Sequence, residues 1–195
     1  MVISDEELIK IFLENDEKAL EALFSRYSKP LYNFAFQLVG DLPVAEDIVQ
    51  EVFVKTWKHA ASFDQKKKFS TWIFAIAKNA AYDYLKKKKS LPFSSFENEQ
   101  GNSILDNVID ETILYSNSLL QKMDNEKEVQ SFLSKLSPQI RTIVLLHHQQ
   151  GFSLVEIAEI MGSSVNTIKS KYHRSLLFLR SLHVTKNVAL AKNQE

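Results

Sequence analysis

The residues that could do covalent chemistry are few and badly placed for it. The chain has no cysteine, which removes disulfides, thiolate metal sites and thiol nucleophiles. Of its 5 histidines, His59, His173 and His183 stand alone in sequence. His147 and His148 are adjacent, so on a helix their rings diverge by about 100° and make a poor chelating pair. Gly40, Gly101, Gly151 and Gly162 include no pair close enough to complete a phosphate-cradling loop or a dinucleotide fingerprint. Acidic pairs such as Glu6-Glu7 and Glu46-Asp47 read better as helix-start and docking residues than as general acids. The expectation is a protein that is not an enzyme, with no catalytic residue, metal site or cofactor.

The chemistry that the sequence does hold is that of recognition. From Phe63 to Lys89 aromatic side chains alternate with lysines, a mixture suited to single-stranded nucleic acid: lysines meet the backbone, and aromatic faces and amides hold an unstacked base. Trp72, Ile73, Ile76 and Ala77 share helical spacing and are assigned to packing. That leaves Phe63, Lys66, Lys67, Lys78, Asn79 and Tyr82 as contact candidates. Further on, Ser153 and Glu156 have the spacing of a capping box, and Gly162 sits where a helix stop is wanted. After that turn Ser164 can cap a second helix whose inner face is Val165, Ile168, Tyr172, Leu176 and Leu179. The opposite face presents Asn166, Lys169, Ser170 and His173, with Lys171 and Arg174 at its edge. A short capped helix, a tight turn and a basic second helix make a helix-turn-helix, which reads duplex DNA in the major groove. A third surface runs along 45–57, where Ala45, Ile48, Val49, Val52 and Thr56 form a core stripe with Phe53 at its margin. Asp47, Gln50, Glu51 and Val54 form a second stripe at i, i+3, i+4 and i+7. By composition alone this second stripe is a solvated acidic face carrying one stray valine; a protein-binding face is the sharper reading.

The elements that must position these residues are helices. Apolar residues recur at three- and four-residue spacing through most of 5–88 and 125–182, and period-two alternation is scarce. Breaks are expected at Pro30, at Gly40 to Pro43, from Ser62 to Lys68, at Ser90 to Pro92, and at Pro138, Gly151 and Gly162-Ser163. The stretch from Ser90 to Ser118, rich in Ser, Asn, Asp and Glu, reads as a linker. With 195 residues and 45% of them hydrophobic, the chain can form one domain or two small ones. The fold expected is all-α: two small helical domains, at 1–89 and 123–183, joined by a flexible acidic linker at 90–122 and followed by a tail at 184–195.

Charge supports that division. The formal net charge is zero, but residues 1–54 carry 4 basic and 11 acidic side chains and 55–89 carry 10 and 2. Residues 90–128 carry 2 and 8, and 129–195 carry 8 and 3. Two basic blocks, each preceded by an acidic one, fit two surfaces for a polyanion. The Ser4-Asp5-Glu6-Glu7 start lacks the basic flank of a signal peptide, and no apolar run approaches the ~20 residues of a membrane span. A cytoplasmic protein with no membrane insertion is the expectation.

Taken together, Asp47-Ile48-Val49-Gln50-Glu51-Val52-Phe53, Phe69 to Asn79, Leu136-Ser137-Pro138 and Ser164 to Ser170 resemble a bacterial sigma factor. The similarity is to the short extracytoplasmic-function class, which keeps only regions 2 and 4 of the sigma-70 family. It covers about residues 20–89 and 128–182. The resemblance implies a protein that binds core RNA polymerase and directs promoter recognition, −10 melting and transcription initiation. Asp47, Gln50 and Glu51, with Val54 beside them, match the segment that docks on the β′ clamp helices. Phe63 and the loop to Lys68, with Asn79, match the part that captures a flipped base of the −10 strand. Lys169, Ser170, Lys171, His173 and Arg174 match the helix that reads the −35 element, and His147 lies where the family can place a phosphate contact. It also implies contact with the β flap, a linker that threads near the active-centre cleft, and restraint by an anti-sigma factor, often membrane-anchored. The chain departs from the family in its Lys66-Lys67-Lys68 loop and in lysines where arginine is common. Lysine lacks the planar fork that pairs bidentately with guanine, so base preference does not carry over. The rival reading is a helix-turn-helix regulator that works without polymerase.

Overall fold

Short polar side chains start the first three helices by accepting an orphan backbone N–H. Ser4 caps α1 (Asp5–Leu13), Asp16 caps α2 (Glu17–Val39) and Asp41 caps α3 (Leu42–His59). α4 (Phe69–Lys89) is capped from a distance: the Phe69 N–H donates to Glu6 Oε1 at 2.8 Å. One member of the Glu6-Glu7 pair thus starts a helix, though one 63 residues away. Asp5 accepts from the Tyr27 hydroxyl and from Arg26, tying α1 to α2. A 3₁₀ turn, Ala60–Ser62, and the loop to Lys68 join α3 to α4.

The computed structural model describes residues 3–89 and 133–192. The acidic linker expected at 90–122 therefore lies outside the described residues. Past it, Ser137 caps α5 (Pro138–His148), α6 (Leu154–Met161) follows, and α7 (Val165–Lys192) runs beyond the expected limit at 183. No strand occurs among the described residues. The described residues are all-helical, with the two helical parts that the sequence implied.

Pro30 does not end a helix; it lies inside α2. Proline in a helix interior costs about 3 kcal/mol or more. Ala19 and Leu23 before it and Leu31, Phe34, Ala35 and Leu38 after it are all buried on one continuous face. Each such side chain contributes roughly 1.5–3 kcal/mol on full burial for the larger types, which outweighs the break. Arg26, whose carbonyl loses its partner, is exposed to water.

The two parts also meet. α4 packs on α6 and α2 on α5, so that one buried apolar cluster runs from Leu8 to Leu176. Phe74 of α4 and Phe152, just before α6, meet edge to face with ring centres 5.1 Å apart. Arg141 of α5 donates to the carbonyls of Leu133 at 2.7 Å and Leu136 at 3.2 Å within its own part, and to that of Leu38 across the boundary at 3.0 Å. The half-buried guanidinium has its pKa lowered by burial. Its hydrogen bonds to three main-chain carbonyls offset the cost of that desolvation.

Candidate nucleic-acid and partner interfaces

On α3 the two stripes separate as their spacing requires. Ala45, Ile48, Val49, Val52, Phe53 and Thr56 are buried, and Asp47, Gln50 and Glu51 are exposed. Glu51 pairs with Lys55 one turn on, at 2.5 Å. Val54 is 48% exposed and Trp57, one further turn along, 58%. Together with Phe12, Leu20, Phe24 and Phe53, Trp57 lines a cleft of about 470 Å³ whose rim carries Glu17 and Glu21. Val54 and Trp57, three residues apart on α3, are thus both exposed apolar side chains. Extending the 47–54 stripe by three residues would have reached Trp57; Phe24 comes from α2, and only packing brings it there.

The basic and aromatic segment divides differently from its sequence reading. Ile73 and Ala77 are fully buried and Trp72 and Ile76 partly so, as assigned. Phe63, a contact candidate, is 7% exposed and sits among Phe69 and Trp72, with ring centres 5.8 and 5.2 Å away. Its ring completes an aromatic cluster with Phe69 and Trp72 just after the 3₁₀ turn. Lys66 and Asn79 are exposed. Lys78 is half-buried; burial and the neighbouring Lys86 lower its pKa, and its Nζ lies 5.9 Å from the centre of the Tyr82 ring. The Tyr82 hydroxyl is 2.9 Å from Thr142 Oγ1 of α5, and burial pushes its pKa up. Lys67 and Lys68 are exposed, but each is engaged: Lys67 Nζ with Glu159 at 3.0 Å and Lys68 Nζ with Glu156 at 2.7 Å.

In the C-terminal part the capping box is complete. Ser153 Oγ accepts from the Glu156 N–H, and Glu156 Oε2 accepts from the Ser153 N–H at 2.8 Å. Hydrogen bonds from Lys68 and Ser153 hold the Glu156 carboxyl at a pKa of about 2. Gly162 ends α6 at φ 63°, a conformation that costs a side chain with a Cβ. Ser164 then accepts from the Thr167 N–H at 3.1 Å, starting α7. Ile168, Tyr172 and Leu176 are buried and Asn166 and Lys169 exposed; Ser170, Lys171 and Arg174 are intermediate. Lys171 donates to Gln139 of α5.

His173 corrects the sequence reading of this face. It is 7% exposed, and among the described residues neither ring nitrogen has a hydrogen-bond partner. The buried sector of α7 widens after Ile168 to take in Tyr172, His173, Ser175 and Leu176, which a single apolar stripe does not reveal. His147 is half-exposed. Its Nδ1 lies 2.8 Å from the Phe152 carbonyl, which only accepts, so Nδ1 carries a hydrogen, and Nε2 can donate to a phosphate only when the ring is the doubly protonated imidazolium. His148 turns instead to the Tyr172 hydroxyl at 3.0 Å, and burial beside His147 lowers its pKa to about 4.

Fold and surfaces define a class: a two-part helical protein with an acidic-apolar docking face, a basic-aromatic helix and a helix-turn-helix. The Sigma-70 region 2 model matches residues 23–91 and the Sigma-70, region 4 model matches 126–179. The ECF RNA polymerase sigma factor SigW of Bacillus subtilis (strain 168) is 29% identical over 174 residues, covering 88% of this chain and 92% of SigW. The ECF RNA polymerase sigma-E factor of Escherichia coli (strain K12) is 30% identical over 182 residues, covering 89% and 91%. Among solved structures, CnrH in complex with the cytosolic domain of CnrY superposes with a TM-score of 0.69 at 22% identity, over 93% of this chain and 97% of that one. The sigma factor RpoE in complex with the anti-sigma factor NepR, from Bartonella quintana, does so with 0.60 at 25%, over 85% and 96%.

The chain belongs to the sigma-70 family, in its extracytoplasmic-function group. It is a sigma factor, which binds core RNA polymerase and promoter DNA and directs transcription initiation, and not a polymerase-independent regulator. No helix among the described residues is long and apolar enough to cross a membrane.

Proposed function

We propose that the three surfaces divide the work of a sigma factor among named residues. Asp47, Gln50, Glu51 and Val54 dock on the β′ clamp helices of core polymerase, and the cleft beside Trp57 extends that face. The observation that carries this is the juxtaposition on α3 of exposed carboxylates with an exposed apolar patch, which suits a partner bearing both basic and apolar side chains.

Lys66, Lys67, Lys78, Asn79 and Tyr82 receive the −10 strand. Asn79 supplies an exposed amide to a flipped base and the lysines neutralise phosphates, while Phe63 shapes the floor of the loop from within. Asn166, Lys169, Ser170, Lys171 and Arg174 read the −35 duplex from the first turns of α7, with His147 Nε2 toward the backbone. His173 takes no part. Region 2 spans 1–89 and region 4 spans 123–183.

The protein does no covalent chemistry of its own and works in the cytoplasm. Its inhibitor is an anti-sigma factor that competes for these surfaces, a reading supported by the similarity to RpoE, whose structure is a complex with the anti-sigma factor NepR. The test is charge reversal. Asp47→Lys or Glu51→Lys should lower affinity for core polymerase at least tenfold and abolish run-off transcription. Unchanged core affinity in both variants refutes the docking assignment.

A further inference from the structure

α1 precedes the residues that the region 2 model matches, 23–91, yet its first turn reaches the strand-receiving segment. The residue before α4 is Lys68, whose ammonium only donates, so it cannot serve as a side-chain cap. Glu6 supplies the acceptor instead, taking the Phe69 N–H at 2.8 Å and setting a carboxylate at the positive end of α4. Its neighbour Asp5 accepts from Arg26 at 2.5 Å and from the Tyr27 hydroxyl, which ties the same turn to α2. Burial and the hydrogen bond to Asp5 push the Tyr27 pKa up, so the phenol keeps the proton it donates. Leu8 and Ile9 behind these carboxylates are buried and seat α1 in the core. The Tyr27 ring meets Phe69 edge to face at 5.3 Å, and Phe69 in turn lies 5.8 Å from both Phe63 and Trp72. The first residue of α4 is thus held from α1 and α2 through both its main chain and its ring.

That residue ends the lysine loop. At the loop's near end, the Asp64 carboxylate accepts from the Lys66 N–H at 3.0 Å and the Asp64 carbonyl from the Lys67 N–H at 2.9 Å. Glu6 fixes the far end. Lys66 and Lys67 stand between the two anchors, and Lys78 and Asn79 lie further along the helix that Glu6 starts. We propose that Glu6 is a positioning residue for −10 strand capture: by capping α4 from α1 it holds the loop lysines in register with Asn79, without touching DNA itself. The proposal rests on the assignment of the −10 surface made above. A frayed first turn releases Lys66 and Lys67 from that register, and groups that must be ordered on binding contribute less affinity. What the Phe69 N–H requires is an oxygen acceptor, which an amide provides as well as a carboxylate. Glutamine at position 6 therefore keeps the cap, and alanine loses it.

Glu6→Ala and Glu6→Gln are compared with the unaltered protein, each as the full-length chain assembled with core RNA polymerase. Glu7→Ala, exposed on the same turn of α1, is the control. The DNA is a forked promoter, selected from a random library by the unaltered holoenzyme, with its non-template −10 strand already single-stranded. Forking takes duplex melting out of the measurement. Losing a side-chain cap shifts a helix start by about 2- to 30-fold. Holoenzyme carrying Glu6→Ala should accordingly leave the forked DNA about 3- to 10-fold faster, with affinity for core polymerase changed by less than about twofold. Hydrogen exchange in a peptide spanning 66–72 should quicken in the same variant. Glu6→Gln and Glu7→Ala should match the unaltered protein in all three readouts. Unchanged dissociation or unchanged exchange with Glu6→Ala overturns the proposal, and so does a Glu6→Gln defect as large as that of alanine. Core affinity falling in step with strand binding also overturns it, because region 2 would then have loosened as a whole. Asn79→Ala on the same DNA reads the strand assignment separately. Faster dissociation there keeps that assignment whatever Glu6 does, and unchanged dissociation overturns it and the proposal with it.

Discussion

Replacing Phe74 and Phe152 by leucine, singly and together, tests whether the two parts of the protein share one core. The rings are 2% and 7% exposed and meet edge to face at 5.1 Å. Leucine keeps most of the apolar volume, so each swap should cost about 1.5 kcal/mol or less for fit. Each also removes the ring–ring attraction, about 0.5–1.5 kcal/mol beyond area burial. That attraction can be lost only once. The double variant should therefore be less destabilised than the sum of the singles by about 0.5–1.5 kcal/mol. In urea, with a slope of about 2–3 kcal/mol per molar, a coupling of 1 kcal/mol appears as a midpoint difference of about 0.3–0.5 M. Equilibrium unfolding followed by circular dichroism, with tryptophan fluorescence reporting region 2 alone through Trp57 and Trp72, measures it. The two signals should coincide in a single transition. Strict additivity, or a Phe152→Leu effect confined to a second transition silent in fluorescence, refutes the shared core.

Two further outcomes follow from the same geometry. Lys169 is exposed on the first turns of α7; Lys169→Ala should weaken binding to a cognate −35 duplex and reduce the slope of log affinity against log salt by about one if Lys169 meets a phosphate. An unaltered slope with reduced discrimination among sequences would assign it to a base edge instead. Glu156, held at a pKa of about 2 by Lys68 and Ser153, ionises below the ordinary glutamate value of about 4.5. Its folded pKa is the lower one, so its stabilising contribution is complete above about pH 4.5 and is lost as pH falls toward 2. Acid titration of the midpoint should be shallower in Glu156→Gln over that window, and identical acid limbs would refute the assignment.

Much of the site was legible because its signals are local. Capping boxes, glycine stops and apolar spacing depend on residues three or four apart, so Ser153, Glu156, Gly162 and Ser164 fall where the pattern put them. The acid-outside, apolar-inside split of α3 followed from helical period alone. Pro30 was misread because propensity is local and the burial that overrides it is not. Phe63 and His173 were misread for a related reason. An aromatic beside lysines and a histidine beside an arginine look like contacts until neighbouring elements cover them.

By itself the sequence determined the helical class, the order of the docking, strand-binding and duplex-reading segments, and the family that those motifs mark, since each rests on spacing within a single helix or turn. The tertiary structure alone decided what lies across what. Glu6 caps a helix 63 residues away, Arg141 joins three carbonyls from two parts of the chain, and Glu156 and Glu159 pair with Lys68 and Lys67 of the loop before α4. The net charge of zero conceals that arrangement, because composition counts charges and only packing pairs a carboxylate with a particular ammonium.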